Sequence, residues 1–280
     1  MVKQFVKRLI DAFVSITHKN SMGRYLHNQV VSIAMGQTME IGHGSINLTL
    51  SVPNQLCYWR VKTFSTKEPE TLEWIERFPE GSRLWDIGAN IGLYSIYAAK
   101  RRNCQVWAFE PSVFNLELLA RNVFLNNLTD KICLVPVALS DELGSSQLRM
   151  TSTDWGGALS TFGHDYGWDG KTLGQVFGFQ TLGIPVEDAV QRLKLPQPDY
   201  IKMDVDGIEH LILKGGLTVL RQVKGVQIEV NDAFQEQAEQ CRLLLSDAGL
   251  VLKEKRHSEM IENSPTAGYK KVFNQSWVRL

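Results

Sequence analysis

The chain lacks the features of a metal-clustered, disulfide-stapled or membrane-spanning protein. Its four cysteines, Cys57, Cys104, Cys133 and Cys241, are widely scattered, with no CxxC pair and no histidine cluster beside them. Neither a zinc centre nor a disulfide framework is indicated, and reduced thiols in a cytoplasmic protein are expected. No uninterrupted apolar run reaches the roughly 18 residues of a transmembrane helix. An excess of one charge is missing too. Thirty basic residues face thirty acidic ones, so no global field favours nucleic acid or an anionic membrane, and no nucleic-acid partner is expected. Three glycosylation-like triplets, at Asn47, Asn127 and Asn274, arise too easily by chance to carry weight.

What is present is ample apolar material. Of 280 residues 44% are hydrophobic, enough for one sizeable domain with an extension. From residue 83 onward strands and helices alternate, which predicts an α/β fold with a parallel sheet covered on both faces. Strands are expected at 83–87, 105–110, 132–139, 200–205 and 225–230, with a terminal strand pair at 250–255 and 271–279. Helices are expected from 93, over 114–126, from 209, and over 235–248 with Gly249 as its stop. Seven strands in this order suit a doubly wound sheet. Residues 81–280 form the domain, and 1–80 an N-terminal extension of helical and short β pieces packed beside it.

Within that extension, Phe5, Val6, Leu9, Ile10, Phe13 and Ile16 recur at helical spacing, interrupted by Lys3, Lys7, Arg8 and Asp11. The pattern predicts a helix over 2–17 that packs on the domain or on a second subunit, with peripheral membrane contact as the alternative. A second irregular region, 151–183, holds eight glycines and six aromatic residues. So long an insertion in an α/β domain is a functional loop or a disordered one, and its aromatic density argues against disorder.

The most informative stretch is Leu84-Trp85-Asp86-Ile87-Gly88-Ala89-Asn90-Ile91-Gly92, followed by Glu110-Pro111 at the end of the next strand. It reads as a nucleotide-binding β-turn-α unit, with small residues for close backbone approach and a helix N-terminus beyond. Glu110 supplies two acceptor oxygens for vicinal ribose hydroxyls. Asn90 replaces the middle glycine of a dinucleotide fingerprint and Leu93 stands where the third would fall. A pyrophosphate is therefore disfavoured and a nucleoside without phosphate preferred, S-adenosylmethionine being one.

Four motifs in order carry a family resemblance: 86–95 (DIGANIGLYS), Phe109-Glu110-Pro111, 137–141 (VALSD) and 201–209 (IKMDVDGIE). With Lys67-Glu68-Pro69 ahead of them, the chain resembles the FkbM family of S-adenosylmethionine-dependent methyltransferases from about residue 67 to 230. It departs from the family pattern at Asp206 and Ile208, where glutamate and alanine are usual. The resemblance implies a Rossmann-like class I methyltransferase fold and methyl transfer to oxygen, commonly of sugars, glycans or natural products.

Asp86, with Gly88, Ala89, Asn90 and Gly92 around it, is expected near the methionine portion of the cofactor, where it would pair with the ammonium. Glu110 is expected at the ribose, and Asn115 either supports that edge or caps the 114–126 helix. Val137, Ala138 and Asp141 would hold the adenine, with Leu116 and Val137 as apolar walls. Asp204 is the first candidate for general base, with Asp206 beside it and His164 in the aromatic loop as a rival. Asp204, Asp206 and Glu209 could instead hold a divalent cation such as magnesium, although no metal ligand set is assigned. Glu209 otherwise starts the next helix, His210 lies on its surface, and Lys202 is a structural lysine or a partner for Glu229.

Trp155, Tyr166 and Trp168 would stack on sugar rings while Asp165, Asp169 and His164 bond hydroxyls, or they pack the core of a lid. The expected function is O-methylation of a saccharide hydroxyl in glycan or glycosylated-metabolite synthesis, in a chain that could form a homo-oligomer. The alternatives are an NAD-dependent oxidoreductase, since Glu110 suits that ribose as well, and a non-catalytic nucleoside-binding scaffold.

Overall fold

The computed structural model describes residues 2–257, 262 and 270–280. Before the sheet come helices α1 (Val2–Thr17) and α2 (Ser21–Met35), a hairpin of β1 (Thr38–His43) and β2 (Ile46–Ser51), and helices α3 (Gln55–Lys62), α4 (Phe64–Lys67) and α5 (Pro69–Glu76). The α/β part begins with β3 (Arg83–Ile87), α6 (Leu93–Arg102), β4 (Gln105–Phe109), α7 (Val113–Leu125) and β5 (Ile132–Val135). Next come β6 (Ala138–Ser140), β7 (Gly144–Met150), β8 (Ser160–Phe162), β9 (Phe177–Pro185) and α8 (Val186–Gln191). The chain closes with β10 (Tyr200–Met203), α9 (Glu209–Lys214), α10 (Leu217–Leu220), β11 (Gly225–Asn231), α11 (Gln235–Asp247), β12 (Val251–Arg256) and β13 (Val272–Val278).

Seven strands form one sheet in the order β12-β13-β11-β10-β3-β4-β5. β3, β4, β5, β10 and β11 run parallel, and β13 is antiparallel to both its neighbours. This is the doubly wound, Rossmann-like sheet expected from the alternation of elements. Its central strands are buried on both faces, so β3 reads as Leu-Trp-Asp-Ile without polar alternation. Trp85, Ile87, Ile201, Met203 and Ile228 pack on one side under α8 to α11. Leu84, Val106 and Ala108 pack on the other with α5, α6 and the β1-β2 hairpin.

Chain order reverses at β3 and β10: from β3 the chain steps outward to β4, and from β10 to β11 on the other side. Ligands of such sheets bind at the carboxyl ends of the strands at this switch point. The backbones come together there. Gly88 has φ 80°, and a Cβ on it would lie 1.9 Å from the carbonyl oxygen of Asp204, so no other residue fits.

From the β1-β2 hairpin to Phe78, the residues ahead of the sheet share its core. Leu48 and Leu50 of β2 pack with Leu119 and Val123 of α7. The hairpin is pinned to that helix by Asn126, which accepts from Thr49 N at 3.0 Å and donates to Thr49 O at 2.7 Å, and by Asn122, which accepts from Ser51 N at 2.7 Å.

The structure departs from the expected elements in three places. The strand expected over 132–139 is two strands, because Pro136 has no N–H to continue the ladder. β5 ends at Val135, and β6 joins a separate four-stranded sheet, order β6-β9-β7-β8. Residues 151–183 are accordingly not one loop, since β8 and most of β9 lie within them. The strand expected over 200–205 stops at Met203, because Asp206 and Gly207 take positive φ (62° and 129°) and turn the chain.

Candidate active site at the sheet switch point

Two cavities meet around Gly88, Asn90 and Asp204, which line both. The first encloses about 560 Å³, partly open to solvent, and is walled by Phe109, Val137, Ala138, Leu139, Phe162 and Ile212. Glu110 stands at its edge. Its Oε2 accepts from Asn90 N and its Oε1 from Ser112 N, both at 2.8 Å. Burial pushes this carboxyl up to about 7 despite those amides.

The amides of the glycine-rich turn are largely occupied. Asn90 N is donated to Glu110, Ile91 N to Asn90 Oδ1 at 3.0 Å, and Gly92 N to Ala89 O at 2.8 Å. Asn90 adopts φ 51°, which asparagine tolerates. Its Nδ2 donates to Gly157 O at 2.7 Å. Asn115 holds the same loop, donating to Gly157 O at 3.0 Å and accepting from Gly156 N at 3.0 Å. It thus secures the loop over the cavity, in place of the helix-cap role it could have had.

The opposite end of that loop is held by Asp206, whose Oδ2 accepts from Leu159 N at 2.7 Å and Ser160 N at 3.4 Å. Its enclosed position and the neighbouring Asp204 push its carboxyl up to about 6. Glu209 braces the turn from beneath, accepting from Val205 N and Gly207 N at 3.1 Å and from the Gln237 amide. With Asp206 and Glu209 so committed, Asp204, Asp206 and Glu209 do not converge on one point. Among the described residues no group of three or more His, Cys, Asp or Glu side chains is placed to hold a metal ion.

The second cavity encloses about 460 Å³, again partly open to solvent, and is charged. Arg60, Lys67, Glu68, Tyr94, Lys202 and Asp204 line it. Lys67 Nζ bonds Glu68 Oε1 at 2.7 Å. Burial would raise the Glu68 carboxyl, but the Lys67 and Lys202 ammonium groups prevail and hold it down at about 2. Lys202, itself buried, lies 3.5 Å from Asp204 Oδ2 and 3.9 Å from Asp86 Oδ1, with its Nζ 5.0 Å from the centre of the Tyr94 ring. Those anions keep it charged against the cost of burial.

Arg60 lies outside every quoted motif, whereas Lys67 and Glu68 of Lys67-Glu68-Pro69 and Tyr94 of the 86–95 motif stand in motifs without a role assigned to them.

Other expected residues are placed elsewhere. Asp86 lines neither cavity; it is buried beneath them, accepting from Ser95 Oγ at 2.6 Å, with Oδ1 lacking a hydrogen bond. Gly92, at φ 87°, admits Leu119, whose Cδ1 would be 2.4 Å from a Cβ there. It therefore serves the packing of α6 on α7. Ala89 lines the second cavity. Asp141 faces Lys214 Nζ at 2.9 Å, away from the first cavity, because β6 leaves the main sheet. Leu116 packs in the core on the far face of the sheet.

His164 lines neither cavity. It follows β8 in the second sheet, where Arg149 Nη1 holds its carbonyl at 2.6 Å and its ring lies 5.1 Å from Tyr166. It is thus not brought to Asp204. His210 is buried, not on the surface, with its ring 6.1 Å from Phe234. Lys202 pairs with Asp86 and Asp204, the β10-β11 register setting it opposite Gln227 and not Glu229. The aromatic residues of 151–183 diverge. Trp155 donates to Glu117 Oε2 at 3.2 Å beside α7, and Tyr166 packs on Phe234 at 5.6 Å.

The model of the methyltransferase FkbM domain matches residues 86–270, more than half the chain. Hexuronic acid methyltransferase AglP of Haloferax volcanii is 26% identical over 174 residues, 62% of this chain and 66% of that relative. Methyltransferase sdnD of Sordaria araneosa is 32% identical over 75 residues, 26% of this chain and 29% of that relative. The chain thus spans just under two thirds of the first curated relative and less than a third of the second. Among solved structures, methyltransferase FkbM of Methylobacillus flagellatus KT aligns with a TM-score of 0.45 at 18% identity, over 72% of this chain and 44% of that one. On the family match, the chain belongs to the FkbM methyltransferase family.

Proposed function

We propose that this protein is an S-adenosylmethionine-dependent O-methyltransferase acting on a saccharide hydroxyl. The observation that carries the donor is the pairing of two unlike cavities across Gly88, Asn90 and Asp204. One is apolar with an acidic edge and suits adenine and a ribose diol, the hydroxyls donating to Glu110. The other carries fixed charge of both signs and suits an amino-acid zwitterion, its ammonium toward Glu68 and its carboxylate toward Lys67 or Arg60. S-adenosylmethionine joins those two pieces through one sulfur. Asp86 then acts through Lys202, which it helps keep charged.

When bound, the cofactor supplies a methyl group on a cationic sulfur, open to in-line displacement. The protein must align the acceptor oxygen and take its proton. Asp204 lines both cavities at the junction and is proposed as the base that receives it. The loop held by Asn90, Asn115 and Asp206 lies over that junction. The saccharide acceptor is supported by the name of the Haloferax volcanii relative, a hexuronic acid methyltransferase.

An NAD-dependent oxidoreductase is disfavoured because a pyrophosphate needs free amides in the glycine-rich turn, and those of Asn90, Ile91 and Gly92 are already donated. Calorimetric titration with S-adenosylhomocysteine and with NAD separates the readings: heat of binding is expected from the first alone. Binding without methyl transfer to any glycan extract would favour the scaffold reading.

A further inference from the structure

The neutrality of the chain conceals a split. Residues 1–37 carry Lys3, Lys7, Arg8, Lys19 and Arg24 against Asp11 alone, an excess of four positive charges, so the remainder carries four more acidic than basic residues. The same stretch holds the α1-α2 hairpin.

Its turn is well specified. Asn20 caps α2 by accepting from Gly23 N at 2.7 Å. Gly23 is buried at the crossing, where a Cβ would lie 1.8 Å from Thr17 O. His27 Nε2 and Thr17 Oγ1 hydrogen-bond across the two helices at 2.8 Å. The hairpin therefore has a defined form, yet its apolar residues are uncovered. Phe5, Leu9, Phe13 and Ile16 of α1 are 55–67% exposed, and Met22, Leu26, Val30 and Ile33 of α2 are 52–66% exposed. On α1 these side chains share one face at helical spacing, while Lys7, Arg8 and Asp11 occupy the opposite one.

We infer that the α1-α2 hairpin docks on an anionic phospholipid surface, its apolar faces entering the headgroup and acyl boundary. The charge split selects the occupant. Two hairpins each with an excess of four positive charges repel one another, whereas an anionic bilayer attracts both the charge and the apolar face. No helix among the described residues is long and apolar enough to cross a membrane, so the hairpin lies on the surface. At its far end Met35 packs against the cluster of Cys57, Ile91 and Leu118. Ile91 also lines the charged cavity, which ties the docking element to the wall of the site.

The test is co-flotation of the full chain with vesicles of phosphatidylcholine alone and of phosphatidylcholine mixed with phosphatidylglycerol. The anionic vesicles should retain at least about tenfold more protein, and added salt should weaken retention. Leu9→Asp/Phe13→Asp and Lys7→Glu/Arg8→Glu should each abolish the difference while S-adenosylhomocysteine binding stays unchanged. That second readout separates failure of docking from failure of the methyltransferase reading. Equal recovery from both vesicle types would overturn the inference. So would a lipid-free dimer that Leu9→Asp converts to monomer without any vesicle retention, which would assign the face to a second copy.

Discussion

Asp206 accepts the backbone N–H of Leu159 at 2.7 Å, and both residues hold positive φ, 62° and 60°. A strained turn after β10 and a strained loop position are therefore locked to each other over the site. Non-glycine residues tolerate such backbones only where surrounding contacts over-determine them. Here those contacts include Glu209 below the turn and Asn90 and Asn115 at the other end of the loop.

Releasing the clamp should open the loop. Asp206→Ala removes both acceptor contacts, at a cost of about 1–3 kcal/mol. Limited proteolysis should then cut within residues 151–159, and methyl transfer should fall about tenfold or more. An unchanged cleavage pattern would contradict a clamping role.

Glu68→Gln tests the charged cavity. It should weaken S-adenosylhomocysteine binding about tenfold or more, as expected when one partner of a charged hydrogen bond is lost. Methylthioadenosine, which lacks the amino-acid portion, should bind as before. An equal loss for both ligands would place the zwitterion elsewhere.

For Asp204→Asn, cofactor affinity should stay near normal while turnover drops on the order of a hundredfold, the usual contribution of a general base. Single-turnover assays with a saturated acceptor distinguish the two effects. A variant of full activity would remove Asp204 from the mechanism.

Stability should decline as pH rises through neutrality. Glu209 titrates near 4.5 in the unfolded chain and, raised by burial, at about 7 in the folded one. Between those values the folded protein keeps a proton that the unfolded chain has released. Its contribution is fully present below pH 4.5 and lost as pH climbs through about 7. The effect is on the order of 1–3 kcal/mol. Thermal melts of Glu209→Gln between pH 5 and 8 should show a flatter dependence than the parent, and identical slopes would refute this account. Glu110, also raised to about 7, ionises over the same range, so cofactor affinity should increase as pH passes neutrality.

The parts legible in the sequence were those carried by local pattern. β3, its glycine-rich turn and α6 could be read because apolar residues run unbroken into residues suited to positive φ. Pro136 marked a break in the third strand that apolar continuity concealed. The second sheet was not legible. β7 buries Leu148 and Met150 but leaves its first two residues exposed, too weak an alternation to signal a strand, and its partners β8 and β9 are recognised only by pairing. Asp141 and His164 sat in or beside promising segments, yet that sheet turns one toward Lys214 and the other toward Arg149 and Tyr166.

By itself the sequence determined the doubly wound sheet and the family, because hydrophobic periodicity and motif order are local properties of the chain. The tertiary structure alone decided which charges face one another. Arg60, Lys67 and Glu68 lie on or beside short helices ahead of the sheet, and Lys202 is more than 130 positions beyond Glu68. Packing of Leu72 and Ile75 against the Leu84 and Ile96 side of the sheet brings those helices beside β10. Long-range burial of apolar surface, which no spacing encodes, thereby assembled the charged half of the site.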